Sequence, residues 1–197
     1  MEIELTPRQT VRLYAKKTGL VFLPAGGVSL KHEEKLRAVL SPVRLPAGYD
    51  AGNAIVIDGP GEYEIGDLSV TGIPAGNGED AGTLFRVSAL DGTTVVLTAE
   101  TGAAALTDEV LEGLGVTQVL ISVLGSEGDG HIMEVAKAVR MISPLVVIPF
   151  APNLPAAEME RFITELGGVT HPPERVFKSK SLTGLSEGLH VFTLSPS

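Results

Sequence analysis

Apolar and polar residues alternate with a period of two over residues 10–15, where Val11, Leu13 and Ala15 oppose Thr10, Arg12 and Tyr14. That is the pattern of a half-buried strand. Lys16-Lys17-Thr18-Gly19 supplies a turn, and Leu20-Val21-Phe22-Leu23 reads as the buried return of a hairpin. Pro24-Ala25-Gly26-Gly27 ends it. Over residues 30–40 the pattern is mixed, and the positions of Leu36, Val39 and Leu40 fit a short helix facing a core. Residues 41–53 carry the breakers Pro42, Pro46 and Gly48 and predict a loop. Ala54-Ile55-Val56-Ile57 predicts a short buried strand. Glu62-Tyr63-Glu64-Ile65 alternates again, Gly66-Asp67 turns the chain, and Leu68, Val70 and Gly72 share a face of the next strand. Residues 83–89 and 93–98 read as two more strands, joined by the hairpin turn Asp91-Gly92.

The rhythm then changes to a period of 3.6. Thr107-Asp108-Glu109 predicts a helix start, with Thr107 as cap and acids in the first turn. Val110, Leu111 and Leu114 form its stripe and Gly115 its end. Residues 118–124 predict a strand of parallel type. Ile132, Val135, Ala136, Val139 and Ile142 follow helical spacing up to Pro144, and Leu145-Val146-Val147-Ile148 is a further buried strand. Pro155 fits a first helical position, Met159, Phe162, Ile163 and Leu166 form the stripe, and Gly167-Gly168 closes it. Residues 174–177 and 189–194 predict closing strands. A meander-like first half followed by strand and helix in alternation predicts an α/β fold with mixed strands. No repeat or linker interrupts residues 1–197, so a single domain is expected.

Composition narrows the function. Hydrophobic residues make up 44% of the chain and the mean hydropathy is +0.25, enough for a sizeable core. Aromatics are 5% with no Trp, so that core must be aliphatic. The formal net charge is -9, which repels phosphate backbones and argues against nucleic-acid binding. There is no Cys, so disulfides and thiolate metal sites are excluded. The first residues hold no apolar h-region, and no apolar run approaches the ~20 residues of a membrane helix. A cytoplasmic protein without membrane contact is expected.

Asp58-Gly59-Pro60-Gly61-Glu62-Tyr63-Glu64-Ile65-Gly66-Asp67-Leu68-Ser69-Val70-Thr71-Gly72-Ile73-Pro74 carries more than its hairpin pattern. It resembles a signature of small metallo-β-lactamase-fold proteins, those similar to the L-ascorbate-6-phosphate lactonases. Leu106-Thr107-Asp108-Glu109 with Leu111, Val119-Leu120-Ile121 and Val147-Ile148-Pro149 agree with the same family in order and spacing. The resemblance implies a four-layer αβ/βα sandwich of two mixed β-sheets with a dinuclear metal site between them. In the family that site is built from a His-x-His-x-Asp-His motif and from a later His, Asp and His. Imidazole and carboxylate there hold two divalent ions, which polarise the scissile group and activate a bridging water.

Matching Ser41 to the family's leading Ser puts Pro42, Arg44, Pro46 and Ala47 at the motif's ligand positions. Shifting the match rescues nothing, because residues 41–53 contain no His. Asn77 stands where the next His is expected, Glu100 where the bridging Asp belongs, and Ala151 at the final His. Only Glu100 keeps a comparable ligand type, and a lone carboxylate does not hold a catalytic dinuclear centre. The resemblance thus implies a metallohydrolase fold with its site erased: a non-catalytic binding, regulatory or assembly module without cofactor. The alternative is a zinc- or manganese-dependent hydrolase with a relocated site. Self-association into a homo-oligomer is expected, with modest support from the oligomers common among lactonase-like proteins.

Other residues with chemistry read as structural. His32, His131, His171 and His190 show no pairing at ligand spacing. Gly184-Leu185-Ser186-Glu187-Gly188 matches G-x-S-x-G, but a nucleophile elbow needs a strand before and a helix after, and here a strand follows. Gly125-Ser126-Glu127-Gly128-Asp129-Gly130 precedes a helix as an anion cradle would, yet its two acids oppose an anion. Glu62 and Glu64 share one strand face and read as solvated charges.

Overall fold

Two mixed β-sheets lie face to face, as the period-two segments and the resemblance predict. A computed structural model describes residues 1–6, 9–24, 35–76, 82–125, 129–151 and 153–196. The six-stranded sheet uses β1 (Glu2–Leu5), β2 (Val11–Ala15), β3 (Thr18–Phe22), β4 (Leu36–Leu40), β5 (Ile55–Ile57) and β13 (Val176–Lys178), in the order β13-β1-β2-β3-β4-β5. The eight-stranded sheet uses β6 (Gly61–Ile65), β7 (Leu68–Ala75), β8 (Gly82–Ala89), β9 (Thr94–Thr98), β10 (Val119–Val123), β11 (Val146–Phe150), β12 (Val169–Thr170) and β14 (His190–Val191). Its order is β12-β14-β11-β10-β9-β8-β7-β6.

The alternating residues of both sheets meet in one aliphatic layer. Leu13, Leu20 and Leu40 from the first sheet face Val70, Val87, Leu97 and Ile121 from the second. Phe22 and Phe85 close this layer edge to face, with ring centroids 6.3 Å apart. The helices α1 (Asp108–Leu114), α2 (Asp129–Ile142) and α3 (Ala156–Leu166) cover the outer face of the eight-stranded sheet. Val110, Val139 and Phe162 press there on Val96, Leu120 and Val147. The outer face of the six-stranded sheet carries Val21, Leu23, Leu36 and Val39, with Leu45 and Tyr49 packed on them from the following loop.

Local signals behave as their chemistry requires. Thr107 caps α1 by accepting a hydrogen bond from Val110 N at 3.3 Å, and Gly115 ends the helix. Gly167 adopts the left-handed conformation after α3, with φ 69. Glu62 and Glu64 are exposed on β6.

Several segments differ from expectation. Residues 36–40 form β4 and not a helix, because both faces of this central strand are covered. Leu40 faces the inter-sheet layer and Val39 the outer cluster, so burial on two sides mimics a mixed pattern. β5 is an edge strand, and Ile55 and Val56 remain 49% and 39% exposed. The first half is not a plain meander either, since β3, β4 and β5 run parallel. Pro155 is the residue before α3 and not its first member.

Candidate functional site

Strands β9, β10 and β11 are parallel neighbours, so their C-terminal ends reach the same edge of the sandwich. Thr98 Oγ1 donates to Ile121 O at 3.2 Å, and Leu124 N donates to Phe150 O at 2.9 Å, which ties the three ends together. Glu100, Gly125 and Ala151 follow directly. The C-terminal end of β4 arrives at this edge from the other sheet. Ser41 N donates to Ile57 O, and Thr83 N, at the start of β8, donates to Pro42 O at 2.8 Å. Because β8 runs antiparallel to β9, its start lies where β9 ends. The fold therefore brings Pro42, Glu100 and Ala151 to one edge, although they are far apart in sequence.

Arg44, Pro46 and Ala47 do not stay there. After the buried Pro42 the chain turns outward, and Leu45 enters the cluster on the outer face of the six-stranded sheet. Leu45 N donates to Asp58 Oδ2 at 3.0 Å and fixes that course. Arg44, Pro46 and Ala47 are exposed. Among the described residues Arg44 makes no ion pair with Glu100. Asn77 and His32 lie outside the described residues.

Among the described residues this edge offers too few side-chain donors for a dinuclear metal. Pro42 and Ala151 offer no side-chain donor, and Glu100 offers one carboxylate. Among the described residues no group of three or more His, Asp or Glu is placed to hold an ion. The Glu100 carboxylate rests directly against Gly125, where a β-carbon would collide with it. Gly125 N donates to His131 Nε2 at 3.3 Å. The first turns of α2 thus bring an imidazole to the edge, a neighbour that the helical position of His131 alone did not reveal. Ala151 lines a cleft of about 380 Å³ with Leu5, Gln9, Phe150, Met159 and Leu194. Gln9 Nε2 reaches across to Asn153 Oδ1 at 3.1 Å. On the other side, Gly76, Ala104 and Thr107 line a cleft of about 280 Å³.

These features, two stacked mixed sheets with an open edge at the ends of β4, β9 and β11, define the architecture. The fold is that of the metallo-β-lactamases. A protein from Thermotoga maritima assigned to the zinc-dependent hydrolases of that superfamily superposes with a TM-score of 0.70, at 16% identity over 98% of this chain and 99% of its own. Igni18, a metallo hydrolase of Ignicoccus hospitalis, gives 0.61 at 14% identity, covering 99% and 95%. The metallo-β-lactamase-fold protein YhfI of Bacillus subtilis gives 0.58 at 12% identity, covering 100% and 97%. No family model and no curated protein sequence matches the chain. Among the described residues no helix is long and apolar enough to cross a membrane.

At the opposite end of the eight-stranded sheet the structure joins two histidines that their sequence separation kept apart. His190 opens β14, and His171 follows β12. Parallel pairing of these strands sets His171 Nε2 2.9 Å from His190 Nδ1. The His171 ring stacks on Phe192 at 4.0 Å, with 7° between the planes. The other nitrogen of His190, Nε2, lies 3.1 Å from Ser186 O and 3.5 Å from Ser186 Oγ. Ser186 stands on the turn before β14, as expected for a G-x-S-x-G string that is no elbow.

Proposed function

We propose that this chain is a non-catalytic metallo-β-lactamase-fold protein of the lactonase-like kind, serving as a binding or assembly module. The observation that carries this reading is the donor set at the shared edge. Glu100 is a ligand-type side chain there, and Pro42 and Ala151 are not. A catalytic zinc needs about three protein ligands plus water, and a structural zinc about four. The net charge of -9 disfavours nucleic acid, so the partners proposed are proteins, a second copy first. A cytoplasmic location belongs to the same proposal.

The test is elemental analysis of the purified protein after incubation with excess zinc and manganese. Less than stoichiometric metal is expected, with no hydrolysis of phosphodiesters, lactones or β-lactams. One or more tightly held ions per chain, lost on Glu100→Ala, would overturn the reading. It would restore the alternative of a metal-dependent hydrolase with a relocated site. The convergence of Glu100 and His131 on Gly125 is the observation that favours that alternative. Loss of the same ion on His131→Ala would identify it.

A further inference from the structure

The His171–His190 pair lies one strand length from the family's metal edge. His190 pairs with Val146 at the start of β11, whereas Ala151 follows its end five residues on, about 16 Å away at ~3.3 Å per residue. A carbonyl only accepts, so the contact with Ser186 O requires a proton on His190 Nε2. In neutral His190 the lone pair is then on Nδ1, aimed at His171. This tautomer removes the serine-hydrolase reading of the cluster, because Nε2–H cannot accept the Ser186 proton.

It also prepares His190 as a ligand. Metal-binding histidines regularly donate their second ring N–H to a backbone carbonyl, which fixes tautomer and orientation. The bond from His190 Nε2 to Ser186 O has that form. His171 is held in turn by its stack on Phe192 and is partly exposed, whereas His190 is buried. A single proton between the facing nitrogens completes an N–H···N bond, and a metal ion competes with that proton for the same lone pairs.

The donor type selects the ion. Two imidazole nitrogens bound at about 2.0–2.1 Å to one ion lie about 3 Å apart. The 2.9 Å between His171 Nε2 and His190 Nδ1 is a hydrogen-bond distance that also puts both nitrogens within reach of one ion. Each lone pair has only to turn off the line between the nitrogens to meet at a common point. Tetragonal, nitrogen-favouring ions are copper(II) and nickel(II), and copper(II) also leads the Irving–Williams order. We propose that His171 and His190 form a two-histidine chelate for copper(II), with nickel(II) second and zinc(II) weaker, its remaining positions filled by water.

Titration of the full chain with copper(II) chloride tests this, using the His32→Gln/His131→Gln background so that only the pair remains among the four histidines. Saturable binding of one ion per chain is expected, with nitrogen hyperfine structure from two imidazoles in the electron paramagnetic resonance spectrum. Binding should weaken by at least about tenfold in His171→Ala and stay unchanged in Glu100→Ala. Zinc(II) under the same conditions should bind more weakly than copper(II). Absence of saturable binding, a spectrum without two imidazole nitrogens, or full affinity in His171→Ala would overturn the proposal. If His171→Ala fails to fold, the spectrum of the background protein decides. Since the ion, the residues and the end of the sheet all differ, this outcome is independent of zinc or manganese at Glu100.

Discussion

Gly72 and Gly125 both exclude a side chain, but against different neighbours. A β-carbon at Gly72 would sit 2.7 Å from Gly59 O and 3.1 Å from Pro60 Cα, both backbone atoms of a rigid turn. At Gly125 it would meet the carboxylate of Glu100, the far end of an exposed side chain. Backbone cannot yield and a surface carboxylate can. Gly72→Ala is therefore expected to destabilise the fold by about 1–3 kcal/mol, the usual cost of overpacking. Gly125→Ala should cost less than about 1 kcal/mol, because Glu100 swings into water. Urea denaturation of both variants checks the difference. Equal losses would mean that Glu100 is fixed over Gly125, as a ligand in a working site would be. The same physics explains why the Gly59-Pro60-Gly61 string with Gly72 could be recognised in the sequence: close backbone approach leaves few residue choices.

At the scale of elements, α1 rests on its cap. It has seven residues, too few to persist without tertiary support and satisfied ends. Removing the Thr107 hydroxyl leaves Val110 N without its partner. Thr107→Ala should cost about 0.5–2 kcal/mol and raise amide exchange at Val110 ahead of β9 and β10. Unchanged exchange there would show that packing of Val110 and Leu114 alone defines the start. Elements of this kind were legible in sequence because cap, stripe and stop agree. β4 was not, since a strand covered on both faces has no alternation to read. β1 and β12 have four and two residues, and pairing with distant partners, not local pattern, makes them strands. For the same reason the His171–His190 contact had no signal in spacing: it depends on the register of the short strands β12 and β14. The candidate edge was half legible. Resemblance identified Pro42, Glu100 and Ala151, which the fold brings to one edge. The outward course of Arg44, Pro46 and Ala47 depends on Leu45 entering a cluster assembled from β3 and β4.

At the scale of the molecule, two open sheets leave four edges, and the edges are not equally guarded. β6 carries the exposed charges of Glu62 and Glu64, which discourage pairing. β13 carries Lys178, whose Nζ lies 2.9 Å from Glu2 Oε1. β12 has two residues and offers little to pair with. β5 is uncharged, and Ile55 and Val56 are partly exposed. Copies bearing a net charge of -9 repel one another, so contact is least opposed where charge is missing. An antiparallel β5–β5 pairing about a two-fold axis would satisfy unpaired backbone groups and cover these apolar side chains. We expect the protein to dimerise at high micromolar concentration, more strongly as salt screens the repulsion. Val56→Lys should place like charges at the two-fold axis and return the protein to monomer, with thermal stability nearly unchanged because the residue lies at an edge. Sedimentation velocity across a salt series checks all three points. A wild-type monomer at high micromolar concentration in high salt would sink the assignment of β5 as the joining edge, and an intact Val56→Lys dimer would move the contact elsewhere.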